Sequence, residues 1–114
     1  MVDTTAFEKS IATAIGLEMH NEPTFDADIV ASKVSAVVRE LIQRRRYKRA
    51  GMSDEAILED LEDYYTQALN VARFDFNTIG AEGEERHTEN GIDRTFSERG
   101  KLWAGVVPIG RIIR

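Results

Sequence analysis

Cysteine is absent from the 114 residues of this chain. That excludes disulfides, thiolate metal sites, iron–sulfur clusters and cysteine nucleophiles together, and it leaves the redox compartment without a trace. Proline occurs only at Pro23 and Pro108, histidine only at His20 and His87, and tryptophan only at Trp103. No apolar run approaches the length of a transmembrane helix, so no membrane partner is expected. The N-terminus, Met1-Val2-Asp3-Thr4-Thr5, lacks the basic start and apolar stretch of a signal peptide, so the chain reads as mature and intracellular at synthesis. What is present is an ordinary soluble composition, 42% hydrophobic and 31% charged, in a length that holds one domain and no second core.

The formal charge of −5 hides an asymmetry. Residues 1–53 carry net +1, residues 54–93 carry −10 and residues 94–114 carry +4. An acidic middle beside a basic tail favours head-to-tail attraction, within one fold or between neighbouring copies, and opposes a grip on nucleic acid by the middle. For any single acidic residue a solvated face is an equal reading.

Thr5-Ala6-Phe7-Glu8 has the form of a capping box, and Phe7, Ile11, Ala14 and Ile15 follow at helical spacing with Gly16 as an end. After the turn Asn21-Glu22-Pro23-Thr24, Thr24 or Asp26 caps a second helix whose stripe is Val30, Val34, Val37, Val38, Leu41 and Ile42, stopping at Gly51. Arg44, Arg45, Arg46, Lys48 and Arg49 occupy its last two turns, where cations complement the carbonyl end. Ser53 caps a third helix with Asp54 and Glu55 in its first turn; Ile57, Leu58, Leu61, Tyr64, Tyr65, Ala68, Leu69, Ala72, Phe76 and Ile79 recur at three- and four-residue intervals, and Gly80 is its terminator.

The second and third helices, joined by Gly51-Met52-Ser53, must run antiparallel. Each would be ~36–39 Å long, against a radius of gyration of ~13 Å for a compact chain of this size. Such a hairpin outgrows its own domain, so part of its apolar face is expected to await another chain or the tail. The expected fold is therefore all-α, a long antiparallel helical hairpin plus a short N-terminal helix. Residues 1–91 form the helical domain, and residues 92–114 an extended C-terminal arm able to form a short strand near Ile92 to Phe96. In that arm Leu102, Trp103, Val106, Val107, Ile109, Ile112 and Ile113 are too apolar for a disordered tail, while Gly100, Gly105, Pro108 and Gly110 forbid a long helix. An arm that docks on a partner and an arm folded back over its own hairpin satisfy both facts equally.

Catalytic chemistry finds little support. His20 stands alone, and His87 with Glu84, Glu85 and Glu89 lacks the rhythm of a metal site. Gly80-Ala81-Glu82-Gly83 lacks the Lys and Ser/Thr of a phosphate loop. No catalytic residue, cofactor or metal is expected, and a metal-dependent enzyme built on His87 is a distant third reading. The basic run at 44–49 could neutralise phosphates, with Tyr47 stacking on a base, in a small helical DNA-binding regulator. Against that, a recognition helix starting at Ser53 would carry Asp54, Glu55, Glu59 and Asp60 to the phosphates.

The segments Tyr64-Tyr65, Phe74-Asp75-Phe76-Asn77-Thr78-Ile79-Gly80-Ala81-Glu82-Gly83 and His87-Thr88-Glu89-Asn90-Gly91-Ile92-Asp93-Arg94-Thr95-Phe96 resemble the head–tail connector proteins of tailed bacteriophages, also called head-completion or DNA-packaging proteins. The ending Val106-Val107-Pro108-Ile109 fits as well. The resemblance implies a small α-helical adaptor of the virion, assembled as a ring of commonly twelve copies at the head–tail interface. Its partners would be itself, the portal protein and a stopper or tail-completion protein, with DNA passing through the lumen. Under that reading the apolar arm residues dock on the portal or a neighbour. The basic run at 44–49 caps its helix or forms an interface, and Glu59, Asp60, Glu62 and Asp63 are candidates for an acidic lumen face that lets DNA slide.

Overall fold

The structure is a computed structural model that describes residues 2–23, 25–84 and 98–108, the side chains of Arg49 and residues 78–84 excepted. It is all-helical, with no strand among the described residues. Among residues 2–84 five helices follow one another: α1 (Thr5–Met19), α2 (Ala27–Arg45), α3 (Tyr47–Ala50), α4 (Asp54–Asp63) and α5 (Tyr65–Glu84). The expected strand near Ile92 to Phe96 lies outside the described residues.

Local chemistry sets most of the boundaries. Asp26 caps α2 by accepting from the backbone N–H groups of Asp28 at 2.9 Å and Ile29 at 3.3 Å. Ser53 caps α4 by accepting from the Ala56 N–H at 3.1 Å. Gly51 ends α3 at φ +70°, a left-handed turn that glycine adopts without a Cβ clash. The start of α1 differs from expectation. Thr4 is the capping residue, and its hydroxyl donates to the Glu8 carboxylate at 2.7 Å rather than closing a capping box on Thr5. Nor does Gly16 stop α1, because burial of Met19 draws the helix on by another turn. Likewise α5 passes through Gly80 to Glu84; a glycine inside a helix costs only about 1 kcal/mol and does not by itself end it.

Three helices build the main core. Phe7, Ile11, Ile15 and Met19 from α1 meet Val30, Val34, Val37, Val38 and Leu41 from α2 and Ala68, Val71, Ala72 and Phe76 from α5. Phe7 meets Tyr65 edge-to-face at 6.3 Å, and Phe25 meets Phe76 at 6.1 Å. Beyond this bundle Tyr47, Ile57 and Leu61 extend the core toward the hairpin turn. The body is elongated, 50 × 31 × 19 Å.

Each arm of the hairpin is broken once, where a continuous helix was expected. In the first arm Arg46 takes the left-handed conformation, φ 54° and ψ 48°. Arg45 and Tyr47 both reach the carboxylate of Asp60, and side chains two positions apart point ~200° away from each other on an unbroken helix. A left-handed residue between them turns both inward. In the second arm the break is at Tyr64, whose ring lies 4.8 Å from the Arg45 guanidinium carbon. Since a non-glycine residue in this region costs about 1 kcal/mol, Arg46→Gly is expected to leave the urea midpoint unchanged or raise it by up to ~1 kcal/mol in stability. A clear drop would mean that the Arg46 side chain stabilises the junction.

The apolar face left over by the hairpin is covered by the tail. Residues 98–102 form a helical turn, not extended chain, and Trp103 and Val106 are buried at 2% and 5% exposure within the common core. Of the large hydrophobic residues described, only Leu17, Ile29 and Val107 stand exposed.

Candidate functional site

Part of the predicted set, Arg44, Arg45, Asp60, Trp103 and Val106, comes together toward the end of the hairpin, where α2, α4 and the C-terminal segment meet. Arg45 donates from Nε to Asp60 Oδ2 at 2.9 Å and from Nη2 to Oδ1 at 3.1 Å, a bidentate pair. Its Nη1 donates to the Val107 carbonyl at 2.8 Å. The Tyr47 hydroxyl donates to the same Asp60 carboxylate at 2.5 Å. One buried arginine thereby ties α2 to α4 and both to the tail. Burial works against the Arg45 charge, but the hydrogen bond and charge of Asp60 outweigh it and hold the guanidinium more firmly protonated than usual. Burial, then the Asp60 hydrogen bond, pushes the Tyr47 phenol well above its ordinary value of 10. Its contribution to stability is therefore full below pH 10 and falls as pH rises beyond that value.

A second clamp lies one turn away. Arg99 donates to Asp75 at 2.7 and 2.9 Å and to Glu40 at 2.8 and 3.1 Å, so the tail bridges α2 and α5. Asp75 and then Glu40 raise its pKa above the ordinary guanidinium value. Arg44 joins Glu40 at 3.2 Å and stacks 4.9 Å from the Trp103 ring centre. Gln67 completes the attachment by donating to the carbonyls of Leu102 at 3.3 Å and Ala104 at 2.7 Å. Gln67→Ala is expected to cost ~1 kcal/mol in a urea titration, the usual net worth of such bonds.

Glu40 supplies a pH signature. Burial opposes its charge, yet the hydrogen bonds and charges of Arg99 and Arg44 win and hold its pKa below the usual 4.5. A depressed carboxylate stabilises the fold above its unfolded value and loses that contribution as pH falls through the folded one. Stability should therefore decline from about pH 4.5 downward, with Arg99→Met flattening that limb of the profile. An unchanged acid limb in Arg99→Met would locate the sensitivity elsewhere.

The described candidate residues divide by their surroundings. Of the basic run, Arg45 is buried and Arg44 is engaged, while Arg46 and Lys48 are exposed with no side-chain hydrogen bond or ion pair among the described residues; the Arg49 side chain is not among them. Tyr47, read as a stacking residue, is 2% exposed and unavailable to a base. Of the acidic set, Asp60 faces inward to Arg45, while Glu59, Glu62 and Asp63 are exposed opposite the buried Ile57 and Leu61. Of the arm residues, Trp103 and Val106 are core, Leu102 is half-buried, and Val107 is 56% exposed. Ile109, Ile112 and Ile113 lie outside the described residues, as do His87, Glu85 and Glu89. His20 is exposed, its ring Nδ1 3.2 Å from the Gly16 carbonyl.

Sequence reasoning missed Glu40, Gln67, Asp75 and Arg99, which fasten the tail. Arg99 and Asp75 are separated by 24 positions, and no local spacing signals such a pair. Among the described residues no three side chains of metal-ligating type gather, and no helix is long and apolar enough to cross a membrane. No family model matches the chain, and neither a curated protein nor a solved structure matches it.

Proposed function

We propose that this chain is a structural head–tail connector of a tailed bacteriophage, a virion component that forms a ring beneath the portal, extends the DNA channel and joins the head to stopper or tail proteins. The reading is carried by the paired segments Phe74 to Gly83, within α5, and His87 to Phe96, outside the described residues, which resemble that family. The helical hairpin is a suitable subunit, because side-by-side packing of elongated bodies with a rotation between them closes a ring. On α4, Glu55, Glu59, Glu62 and Asp63 form an exposed acidic stripe over a buried apolar face. Such a stripe repels phosphate and suits a surface past which DNA slides.

The fold narrows how the ring would be held. With Trp103 and Val106 inside the chain's own core, contacts between copies would fall to the charged surface, to the exposed Leu17, Ile29 and Val107, and to the residues beyond 108. DNA binding by the basic run is the weaker reading, since Arg45 and Tyr47 are spent inside the fold.

Reconstitution tests the proposal. Purified chain added to DNA-filled, portal-bearing heads that lack a connector should restore joining of tails, and failure to join would contradict it. In joined particles Glu59→Lys, Glu62→Lys and Asp63→Lys together should slow DNA ejection by roughly tenfold or more if the stripe lines the channel. Unchanged ejection would place the stripe on an outer surface.

A further inference from the structure

The two breaks in the hairpin lie at one level. Arg46 holds φ 54° and ψ 48° in the first arm, Tyr64 holds φ −109° and ψ 15° in the second, and Arg45, beside one break, stacks on the Tyr64 ring at the other. Beyond that level is a tip, residues 47–63, made of α3, the turn and α4. A single non-helical residue joins each side of it to the bundle, and hinges are commonly built from such element-terminal positions.

Little apolar surface holds the tip in place. Of its described side chains only Tyr47, Ile57 and Leu61 are buried, and α4 meets the bundle sparsely where α1, α2 and α5 pack along their lengths. Units with few buried apolar contacts have the lowest free energies of local opening. The polar tie across the breaks is the bidentate pair from Arg45, on the bundle side, to Asp60, on the tip. On opening, water reaches both charges, so separating the pair costs far less than deleting one partner inside the closed fold.

We propose that the tip is a hinged unit that opens about Arg46 and Tyr64, that Arg45 is its latch, and that the seated C-terminal segment holds the latch closed. The Val107 carbonyl, accepting from Nη1 at 2.8 Å, fixes the guanidinium in the orientation that presents Nε and Nη2 to Asp60. That carbonyl is kept in place by fastenings outside the tip: Arg99 on Glu40 and Asp75, Gln67 on the carbonyls of Leu102 and Ala104, and Trp103 in the core. Unseating the segment takes away the third partner of Arg45 and admits water to the guanidinium, so the tip opens more readily. By linkage, an open tip loosens the segment to the same degree.

The contacts involved all lie within one chain, so the inference stands apart from the connector reading. Within that reading it has a consequence: a partner that lifts the C-terminal segment off the bundle frees the tip for the next component of the assembly.

Amide hydrogen exchange on the purified full chain tests the proposal. In the parent, Leu58 and Leu61 in α4 should exchange about tenfold or more faster than Ile11 and Ile15 in α1, and with a weaker dependence on added urea. Arg99→Met with Gln67→Ala loosens the segment and leaves every tip residue in place; it should speed exchange at Leu58 and Leu61 by about tenfold again. Gln67→Ala alone should act in the same direction with a smaller amplitude. With the latch replaced by Arg45→Met and Asp60→Leu, the same loosening should leave exchange in α4 within about twofold. Equal protection of α4 and α1 in the parent would overturn the hinged tip. An α4 rate that ignores loosening of the segment, or that responds equally without the latch, would overturn the coupling through Arg45.

Discussion

Asp60→Ala is expected to lower folding stability by about 3–5 kcal/mol, the largest effect of any single acidic substitution in this chain. The carboxylate is the shared acceptor of three donors, two from Arg45 and one from Tyr47. Removing it leaves a guanidinium on a side chain that is 9% exposed, with the Val107 carbonyl, the Tyr64 ring and the Tyr47 hydroxyl as its neighbours among the described residues and no carboxylate to balance its charge. It also leaves the buried Tyr47 hydroxyl without its acceptor. Breaking one side of a buried pair is far more costly than replacing both, so Arg45→Met with Asp60→Leu should recover a large part of the loss. Urea unfolding followed by circular dichroism reads the difference as a shift in midpoint at constant slope. Glu59→Ala, one residue away on the solvent face, should stay within about 0.5 kcal/mol of the parent. Equal effects at 59 and 60 would mean that Asp60 is a surface acid and that the junction is held otherwise.

Trp103→Ala is the second large expectation, at about 3–5 kcal/mol. The indole is 2% exposed, lies under the Arg44 guanidinium at 4.9 Å, and sits between the Arg99 clamp and the Gln67 attachment. Truncation empties a space that the surrounding helices cannot fill and loosens the attachment of residues 98–108. One detail makes the site more informative. The indole Nε1 is buried with no hydrogen-bond acceptor among the described residues. Trp103→Phe removes that unsatisfied donor while retaining most of the buried ring, so its cost should be less than about half that of Trp103→Ala. Val107→Ala, at an exposed neighbour, should change stability by under about 0.5 kcal/mol. If Trp103→Ala were equally mild, the C-terminal segment would be an appendage and not part of the core.

The helical class was legible because it rests on local signals: the caps at Asp26 and Ser53, the stop at Gly51 and the valine stripe of α2 all act within a few residues. The two breaks were not legible. Neither Arg46 nor Tyr64 is a proline or glycine, and each is turned by contacts with Asp60 or Arg45 that exist only once the hairpin has closed. The same holds for the tail. Its apolar residues announced a buried role, but the choice between its own hairpin and another surface depends on Arg99 meeting Glu40 and Asp75 and on Gln67 meeting two carbonyls, all long-range contacts. In the basic run, composition suggested five equivalent cations at one helix end. The fold divides them, with Arg45 buried, Arg44 paired, and Arg46 and Lys48 left to solvent.

Assembly is the point on which the functional account turns. The most direct measurement is the mass of the purified full-length chain by light scattering, alone and after mixing with DNA-filled, portal-bearing heads that lack a connector. The account predicts a ring-sized assembly, either free in solution or formed on the heads as the chain is taken up in multiple copies per portal. A chain that stays monomeric or dimeric and leaves such heads unchanged would contradict it.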